Sequence, residues 1–193
     1  MKRKNLLLLT ALPMALLLSS CFVLNGFWIN ANSIVAGGKA TKATFRIQPL
    51  KGSGDTAYQF FLIGVSDSDE LKAGKATWGV NGVFGGPYPL QGRSDLASII
   101  GSDCQSNGFD LSAVTGMTWR GYTTPTAIND KNNVNKEVIV QVGLKAVDSA
   151  GAGVEPVIGV TGAWSDDDDG VPEASDSFIC TGVSQVFVHV AAP

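Results

Sequence analysis

The amino-acid sequence predicts an all-β protein, specifically an immunoglobulin-like sandwich of two antiparallel sheets. Three observations predict this fold class. Apolar and polar residues alternate over several short runs, clusters of Gly, Asn, Asp and Pro separate the runs, and a helix is indicated only at residues 94–100. Short strands with frequent turns and one short helix fit two packed sheets better than a fold in which strands and helices alternate.

The clearest strand signal covers residues 137–147. Every second residue from Val138 to Ala146 is apolar, and the positions between them are mixed, with Gln141 and Lys145 among them. This alternation is typical of a strand that has one face on a core. On similar signals we predict strands at residues 43–47, 56–65, 75–84, 116–122, 154–164, 177–180 and 185–190. The loops between strands are predicted at residues 52–55, 67–70, 85–87, 129–135 and 149–153.

The first twenty residues have the three parts of a secretory signal peptide. Basic residues occupy positions 2–4, an apolar run covers positions 6–18, and the small residues Ser19 and Ser20 follow. A segment of this kind directs export and is removed from the mature protein. The sequence therefore predicts that the domain functions outside the cytoplasm.

The end of this segment, Leu18-Ser19-Ser20-Cys21, resembles the lipobox of bacterial lipoproteins, in which an aliphatic and two small residues precede a cysteine. The resemblance implies that Cys21 carries lipid and anchors the mature protein to a membrane. Residues 21–33 are then predicted as a tether and residues 34–193 as a single β-sandwich domain. The alternatives are ordinary secretion and an uncleaved anchor helix, since apolar residues continue beyond Cys21 for long enough to span a bilayer.

The charge of the mature chain argues against nucleic-acid binding. The signal peptide holds three of the 14 basic residues and none of the 17 acidic ones, which leaves 11 − 17 = −6 for the mature part. Phosphate backbones are bound mainly by clustered Lys and Arg. An acidic domain without such a cluster is a poor partner for DNA or RNA.

Two cysteines remain once Cys21 is assigned to lipid. In an oxidising compartment, Cys104 and Cys180 are most simply interpreted as one disulfide. The alternative is a pair of buried free thiols. With His189 as the single histidine, these cysteines make no zinc-binding spacing.

Motifs for catalysis are absent from the sequence. His189 is the single imidazole, it lies within a strand pattern, and no acid is adjacent to it. No nucleophile elbow, metalloprotease motif, phosphate-binding loop or dinucleotide fingerprint is present. The sequence thus predicts a protein that is not an enzyme, although carboxylates far apart in the chain leave a hydrolase as an alternative.

A run of four aspartates before Gly170 is the most distinctive local feature. Ser165, Asp167, Asp169 and Asp176 fall at the first, third, fifth and twelfth places of a pattern that resembles an EF-hand calcium loop, with Gly170 at the sixth. The pattern departs from that family in having serine at the first place, aspartate at the twelfth and no flanking helix. A solvated acidic turn is the alternative.

Aromatic residues give a second candidate for binding. A flat platform of aromatic rings suits the stacking of sugars, whereas the same residues buried in the sandwich belong to its core. The candidates are Trp78, Tyr88, Trp119, Tyr122 and Trp164.

Taken together, these features predict a non-enzymatic surface lipoprotein that binds or scaffolds a protein or glycan through the loops of a β-sandwich. An alternative is an accessory module that binds calcium or carbohydrate, and a further alternative is an extracytoplasmic hydrolase that uses carboxylates. The sequence predicts no cofactor other than the calcium ion of that alternative.

Overall fold

The structure is a computed structural model, and it confirms the predicted immunoglobulin-like sandwich of two sheets. It describes residues 22–31, 33–49, 56–66, 71–80, 83–89, 91–101, 111, 114, 116–123, 128–129, 137–147, 150–165 and 171–193. Within these ranges, no helix is both long enough and apolar enough to cross a membrane.

The described elements are almost entirely strands. In chain order they are β1 (Phe22–Ile29), β2 (Ser33–Val35), β3 (Thr41–Pro49), β4 (Thr56–Ser66), β5 (Leu71–Val80), β6 (Val83–Pro89), β7 (Gln91–Arg93), β8 (Met117–Thr123), β9 (Ile128–Asn129), β10 (Val138–Ala146), β11 (Gly153–Ser165) and β12 (Ser177–Ala191). The helix α1 (Leu96–Ile100) lies between β7 and β8.

The strands form two sheets. The first sheet has the order β1-β3-β10-β5-β6, and the second has the order β2-β12-β11-β4-β8-β7 with β9 paired to β4. Neighbouring strands are antiparallel except for β2, which runs parallel to β12. Because β1 and β2 belong to different sheets, the chain crosses from one sheet to the other between Ile29 and Ser33.

The main core lies between the two sheets. Phe27 of β1 packs against Phe45 of β3 with ring centroids 4.7 Å apart, and Phe45 meets Phe61 of β4 edge to face at 5.8 Å. The predicted apolar face of β10 also points here, since Val138 and Val140 belong to this core. Tilted and edge-to-face aromatic rings, together with branched aliphatic side chains, therefore hold the sheets together.

A second apolar cluster covers the outer face of the second sheet. Leu96 and Ile100 of α1 pack there against Phe60 and Leu62 of β4 and against Trp164 of β11. The strand β4 therefore has an apolar layer on each face, which explains why every residue from 59 to 65 is buried.

The prediction that residues 21–33 form a tether is wrong for residues 22–29. These residues form β1, which pairs with β3 from Phe22 opposite Pro49 to Ile29 opposite Ala43. The apolar residues are spaced so that Phe27 reaches the core and Ile29 packs against it. The sandwich therefore includes residues 22–29, while Cys21 lies outside the described residues.

Three strand boundaries differ from the predictions. The strand predicted at residues 75–84 is two strands, β5 and β6, and the loop predicted at residues 85–87 lies within β6. A proline is tolerated there because β6 is an edge strand. The two strands predicted at residues 177–180 and 185–190 are one strand, β12, with a bulge opposite Thr161 and Gly162.

Candidate functional site

An exposed apolar patch lies on the outer face of the second sheet, beyond the part that α1 covers. We call it the Phe187 patch and define it by Val35 of β2, Val154 and Pro156 of β11, and Phe187 and His189 of β12. Phe187 is 62% exposed, Val154 is 54% exposed and Val35 is 48% exposed. Single exposed apolar residues are common on proteins, whereas adjacent ones mark surfaces that contact other molecules.

Strand alternation places these side chains on one face. Val186, Val188 and Val190 face the inter-sheet core, so Phe187 and His189, which alternate with them, point outward. On the neighbouring strand Val154 lies directly opposite His189. The patch is thus built from adjacent strands of one rigid sheet and not from a loop.

The edge of the sheet beside the patch does not favour the addition of a further strand. The strand β4 pairs with β11 only from Ile158 to Trp164, so residues 153–157 of β11 have β12 alone as a ladder partner among the described strands. Pro156 lies in this segment and has no amide hydrogen to donate. A partner is therefore better accommodated on the face of the sheet than along this edge.

The environment of His189 does not resemble a catalytic site. Its side chain is exposed, and the residues directly opposite it are Val154 on β11 and Ser33 on β2. A general base in a hydrolase is usually held by an acid within hydrogen-bond reach. Neither neighbouring strand places an acid opposite His189, so the imidazole is best described as a polar member of the patch.

The predicted aromatic platform does not form. Trp164 is buried in the outer cluster and stacks on Phe178 with ring centroids 6.4 Å apart. Tyr122 is buried on the opposite face of the same sheet, in the inter-sheet core. Trp119 packs against Gly64 on the outer face. Rings on two faces of one sheet cannot share a flat surface, and for Trp78 and Tyr88 only the backbone is described.

The hydroxyl of Tyr122 connects the two sheets. It donates a hydrogen bond to the backbone oxygen of Gly74, so a residue of β8 in the second sheet is bonded to β5 in the first. Burial raises the pKa of Tyr122 to about 12. The neutral hydroxyl, which can donate, is therefore the stable form in the folded protein.

The predicted lipid and disulfide residues are only partly described. Cys21 and Cys104 lie outside the described residues, and Cys180 is buried in the outer cluster. Ile100 and Leu111, which precede and follow Cys104 in sequence, pack in that same cluster. The pairing of Cys104 with Cys180 stays a prediction, as does the acylation of Cys21.

The acidic segment connects the ends of two paired strands. Ser165 ends β11 and pairs with Ser177 of β12, while Asp167 and Asp169 lie outside the described residues. The carboxylate of Asp176 accepts a hydrogen bond from the backbone amide of Glu173 at 2.7 Å, in a turn that leads into β12. No three metal-binding side chains meet in the described ranges. The calcium site stays a prediction.

Arg93 fixes the segments at the end of the sheet near this turn. Its guanidinium forms two hydrogen bonds of 2.9 Å with the carboxylate of Asp95, just before α1, and one of 3.2 Å with the backbone oxygen of Pro172. The hydrogen bond from Arg93 lowers the pKa of Asp95. These hydrogen bonds hold β7, the start of α1 and residues 171–173 together, so Arg93 stabilises the fold here.

Sequence reasoning missed the patch, although one signal for it is present. In the alternating run at residues 185–190, Phe187 occupies the face that otherwise carries Gln185 and His189. A large apolar residue on the polar face of a strand is the signal for an exposed contact. The contributions of Val35 and Val154 depend on strand pairing, which the local pattern does not reveal.

No protein-family model matches the chain, and no curated protein matches it. Among solved structures, it is similar to a cohesin module from a family 33 glycoside hydrolase of Clostridium perfringens, with 12% identity, a TM-score of 0.46, and coverage of 91% of this chain and 98% of that chain. It is also similar to the collagen-binding domain from a Staphylococcus aureus adhesin, with 10% identity, a TM-score of 0.36, and coverage of 84% and 96%.

A third similar structure is AvmM, which catalyses macrocyclization in alchivemycin A biosynthesis. It is 9% identical, has a TM-score of 0.46, and is matched over 88% of this chain and 86% of that chain. At these identities the likeness describes the fold and leaves the function to be argued from the surface of this chain.

Proposed function

We propose that this protein is a lipid-anchored, extracytoplasmic binding domain that contacts a partner protein through the Phe187 patch. The observation that carries the proposal is the exposure of Phe187, Val154 and Val35 on adjacent strands of a rigid sheet. Removing apolar surface from water is favourable by about 25 cal/mol per Å² of surface that a partner buries. A patch of this kind is stabilised when an apolar protein surface covers it.

The composition of the patch supports a protein partner over a glycan or a substrate. Sugar rings are bound by flat aromatic faces, and Phe187 is the one aromatic ring in the patch, beside valine and proline side chains. A catalytic role for His189 lacks an opposing acid, because Val154 and Ser33 lie opposite it. Apolar contact with a protein uses the valine, proline and phenylalanine side chains of the patch together.

The anchoring part of the proposal is supported by Leu18-Ser19-Ser20-Cys21 at the end of an apolar leader. We expect the native protein to partition into the detergent phase and its Cys21→Ser variant into the aqueous phase. An intact mass that includes the acyl groups provides the second measurement. Aqueous partitioning of both proteins would overturn anchoring through Cys21.

The binding part is tested by site-specific photo-crosslinking in the bacterium that makes the protein. A photoreactive amino acid at position 187 should give one discrete adduct that is heavier than the chain and differs in mass from two chains. The same amino acid at position 171 is the matched control, because Val171 is 40% exposed but lies outside the patch. An adduct with the mass of two chains, or equal adducts at both positions, would contradict a partner protein on the patch.

A pair of substitutions separates binding from folding. Val154→Ser should abolish the adduct formed from position 187, whereas Val171→Ser should leave it unchanged. Both side chains are exposed, so we expect the free energy of unfolding of each variant to lie within about 0.5 kcal/mol of that of the parent. An adduct that survives Val154→Ser at full yield would place the contact elsewhere.

A further inference from the structure

The strand β1 begins at the residue that directly follows the predicted lipid-bearing cysteine. Phe22 already lies opposite Pro49 in the ladder between β1 and β3, and the pairing continues to Ile29 opposite Ala43. Consecutive Cα atoms are about 3.8 Å apart. An acyl group on Cys21 would therefore be attached to the end of a strand in the sandwich, with no flexible spacer between lipid and domain.

The contact between β1 and β12 also shows how far the start of β1 lies from the Phe187 patch. Leu24, near the start of β1, lies directly against Gly182 of β12. Farther along β12, Ala191 lies opposite Val35 of the Phe187 patch. At roughly 3.3 Å per residue, a strand rises about 17 Å from Gly182 to Phe187 and about 30 Å from Gly182 to Ala191.

We infer that, in the lipid-anchored protein, the end of the sandwich at the start of β1 rests on the phospholipid headgroups and the Phe187 patch is held about 17 to 30 Å farther from the membrane. The inference rests on the proposed anchoring at Cys21. It assigns two surfaces to two partners, with the lipid headgroups at one end of the molecule and the partner protein at the other.

The side chains near the membrane end suit a headgroup layer. Asn25 donates a hydrogen bond to Gln48 at 2.9 Å, and Arg46 forms an ion pair with Glu137. These groups are polar, and the charges of the ion pair cancel. They favour contact with hydrated headgroups over insertion into hydrocarbon.

The distance of the patch from the membrane defines the kind of partner. An amphipathic helix that lies in the headgroup layer is about 10 to 12 Å across and would not reach a surface about 17 to 30 Å above it. The partner is therefore a soluble extracytoplasmic protein, or a membrane protein with a folded domain that projects at least this far.

The test uses the acylated full-length protein in vesicles of phosphatidylethanolamine and phosphatidylglycerol that contain a lipid with a headgroup quencher. A fluorescent amino acid is placed at position 48 or at position 187, both of which are exposed. We expect quenching at position 48 to be several-fold greater than at position 187. Equal quenching at the two positions, or greater quenching at position 187, would overturn the inference.

Flotation of the same samples separates this inference from the proposed anchoring. Protein that floats with the vesicles and shows equal quenching contradicts only the orientation. Parent protein that fails to float, as Cys21→Ser is expected to do, contradicts the anchoring and the orientation together.

An insertion provides the matched control. Ten Gly and Ser residues between Cys21 and Phe22 add a flexible spacer with a mean span of about 17 Å. We expect flotation to be unchanged and quenching at position 48 to fall toward that at position 187. Undiminished quenching at position 48 would show that the sandwich reaches the membrane by another route and would overturn the role of β1.

Discussion

Gly159 occupies a point in the inter-sheet core where a side chain has no room. A Cβ atom added there would lie 2.7 Å from the ring of Phe27 and 2.8 Å from the ring of Phe45. Both rings are buried between the sheets, so neither can move aside without disturbing its neighbours. The two sheets approach closely at this point because residue 159 is a glycine.

We expect Gly159→Ala to lower the free energy of unfolding by about 1 to 3 kcal/mol, because overpacking forces the core to shift. Urea denaturation monitored by tryptophan fluorescence would measure the change. Gly92→Ala is the matched control, since a Cβ at position 92 meets nothing within 4 Å. That variant should be unchanged or slightly more stable because its unfolded chain is less flexible. Equal stability of the two variants would contradict the close approach at Gly159.

The hydroxyl of Tyr122 makes stability depend on alkaline pH. Its pKa is raised to about 12 by burial, compared with an ordinary value of 10.0. Below pH 10 the hydroxyl is neutral in both folded and unfolded chains, so its full contribution is present. Between pH 10 and 12 the unfolded chain loses the proton and the folded chain keeps it, so the free energy of unfolding falls as pH rises.

Tyr122→Phe removes this titration. At pH 8 the variant should be about 1 kcal/mol less stable, since it lacks the hydrogen bond to Gly74. The difference between parent and variant should then fall to zero and change sign between pH 10 and pH 12, because a pKa raised from 10.0 to about 12 corresponds to more than the roughly 1 kcal/mol of the hydrogen bond. Denaturation curves at pH 8 and pH 11 measure it, and the lysines cancel in the comparison. A difference that does not vary with pH would exclude Tyr122 as the titrating group.

At the scale of the element, α1 depends on the sheet beneath it. It has five residues, and Asp95 at its start makes no capping hydrogen bond through its side chain. Isolated helices of this length are unstable in water. The burial of Leu96 and Ile100 against the second sheet is therefore what keeps the helix formed.

Gly121 provides the space for this contact, which makes it a second site for substitution. A Cβ at position 121 would lie 2.5 Å from the Cβ of Leu96 and 2.7 Å from the backbone oxygen of Arg93. We expect Gly121→Ala to displace α1 and to cost about 1 to 3 kcal/mol of unfolding free energy. Amide chemical shifts should change at residues 93–100 and stay constant in β1 and β3. Shifts that spread evenly over both sheets would argue against a local effect.

Sequence reasoning found strands with one covered face, such as β10, and also β4, which is covered on both faces and is apolar over most of residues 60–65. The alternation in β10 is clear because Val138 and Val140 face the core while Lys145 is exposed. The strand β1 was missed because its apolar residues continue the apolar character of the leader. The residues Gly85, Gly86 and Pro87 predicted a loop, yet they lie in β6, where an edge position tolerates both residue types.

At the scale of the whole molecule, the sandwich was predictable and the proposed binding surface was not. The two-sheet class follows from strand number and turn spacing, which are local properties. The Phe187 patch requires that β2 and β11 lie on either side of β12, although β2 and β12 are at opposite ends of the chain. Such pairing between distant segments leaves no local periodic pattern.

The calcium-site residues were predicted from a local motif, and they are therefore close together in the sequence. Motif reasoning selects residues that are close in sequence, such as Ser165, Asp167, Asp169 and Asp176. The structure describes a 2.7 Å turn hydrogen bond for Asp176 and a strand end at Ser165. The Phe187 patch is assembled from three strands, so finding it requires the register of strand pairing. That register depends on the fold of the whole chain.

Because β4 is buried on both faces, we expect it to be among the last segments to open when the domain unfolds. From Phe60 to Gly64 this strand is also paired on both sides, with β11 and with β8. Amide hydrogens in such a segment exchange with solvent only when the whole domain unfolds. We expect the opening free energy at residues 60–64 to equal the global value from denaturation, and that in β7, at the edge, to be lower. Equal values would mean that the second sheet opens as a single cooperative unit.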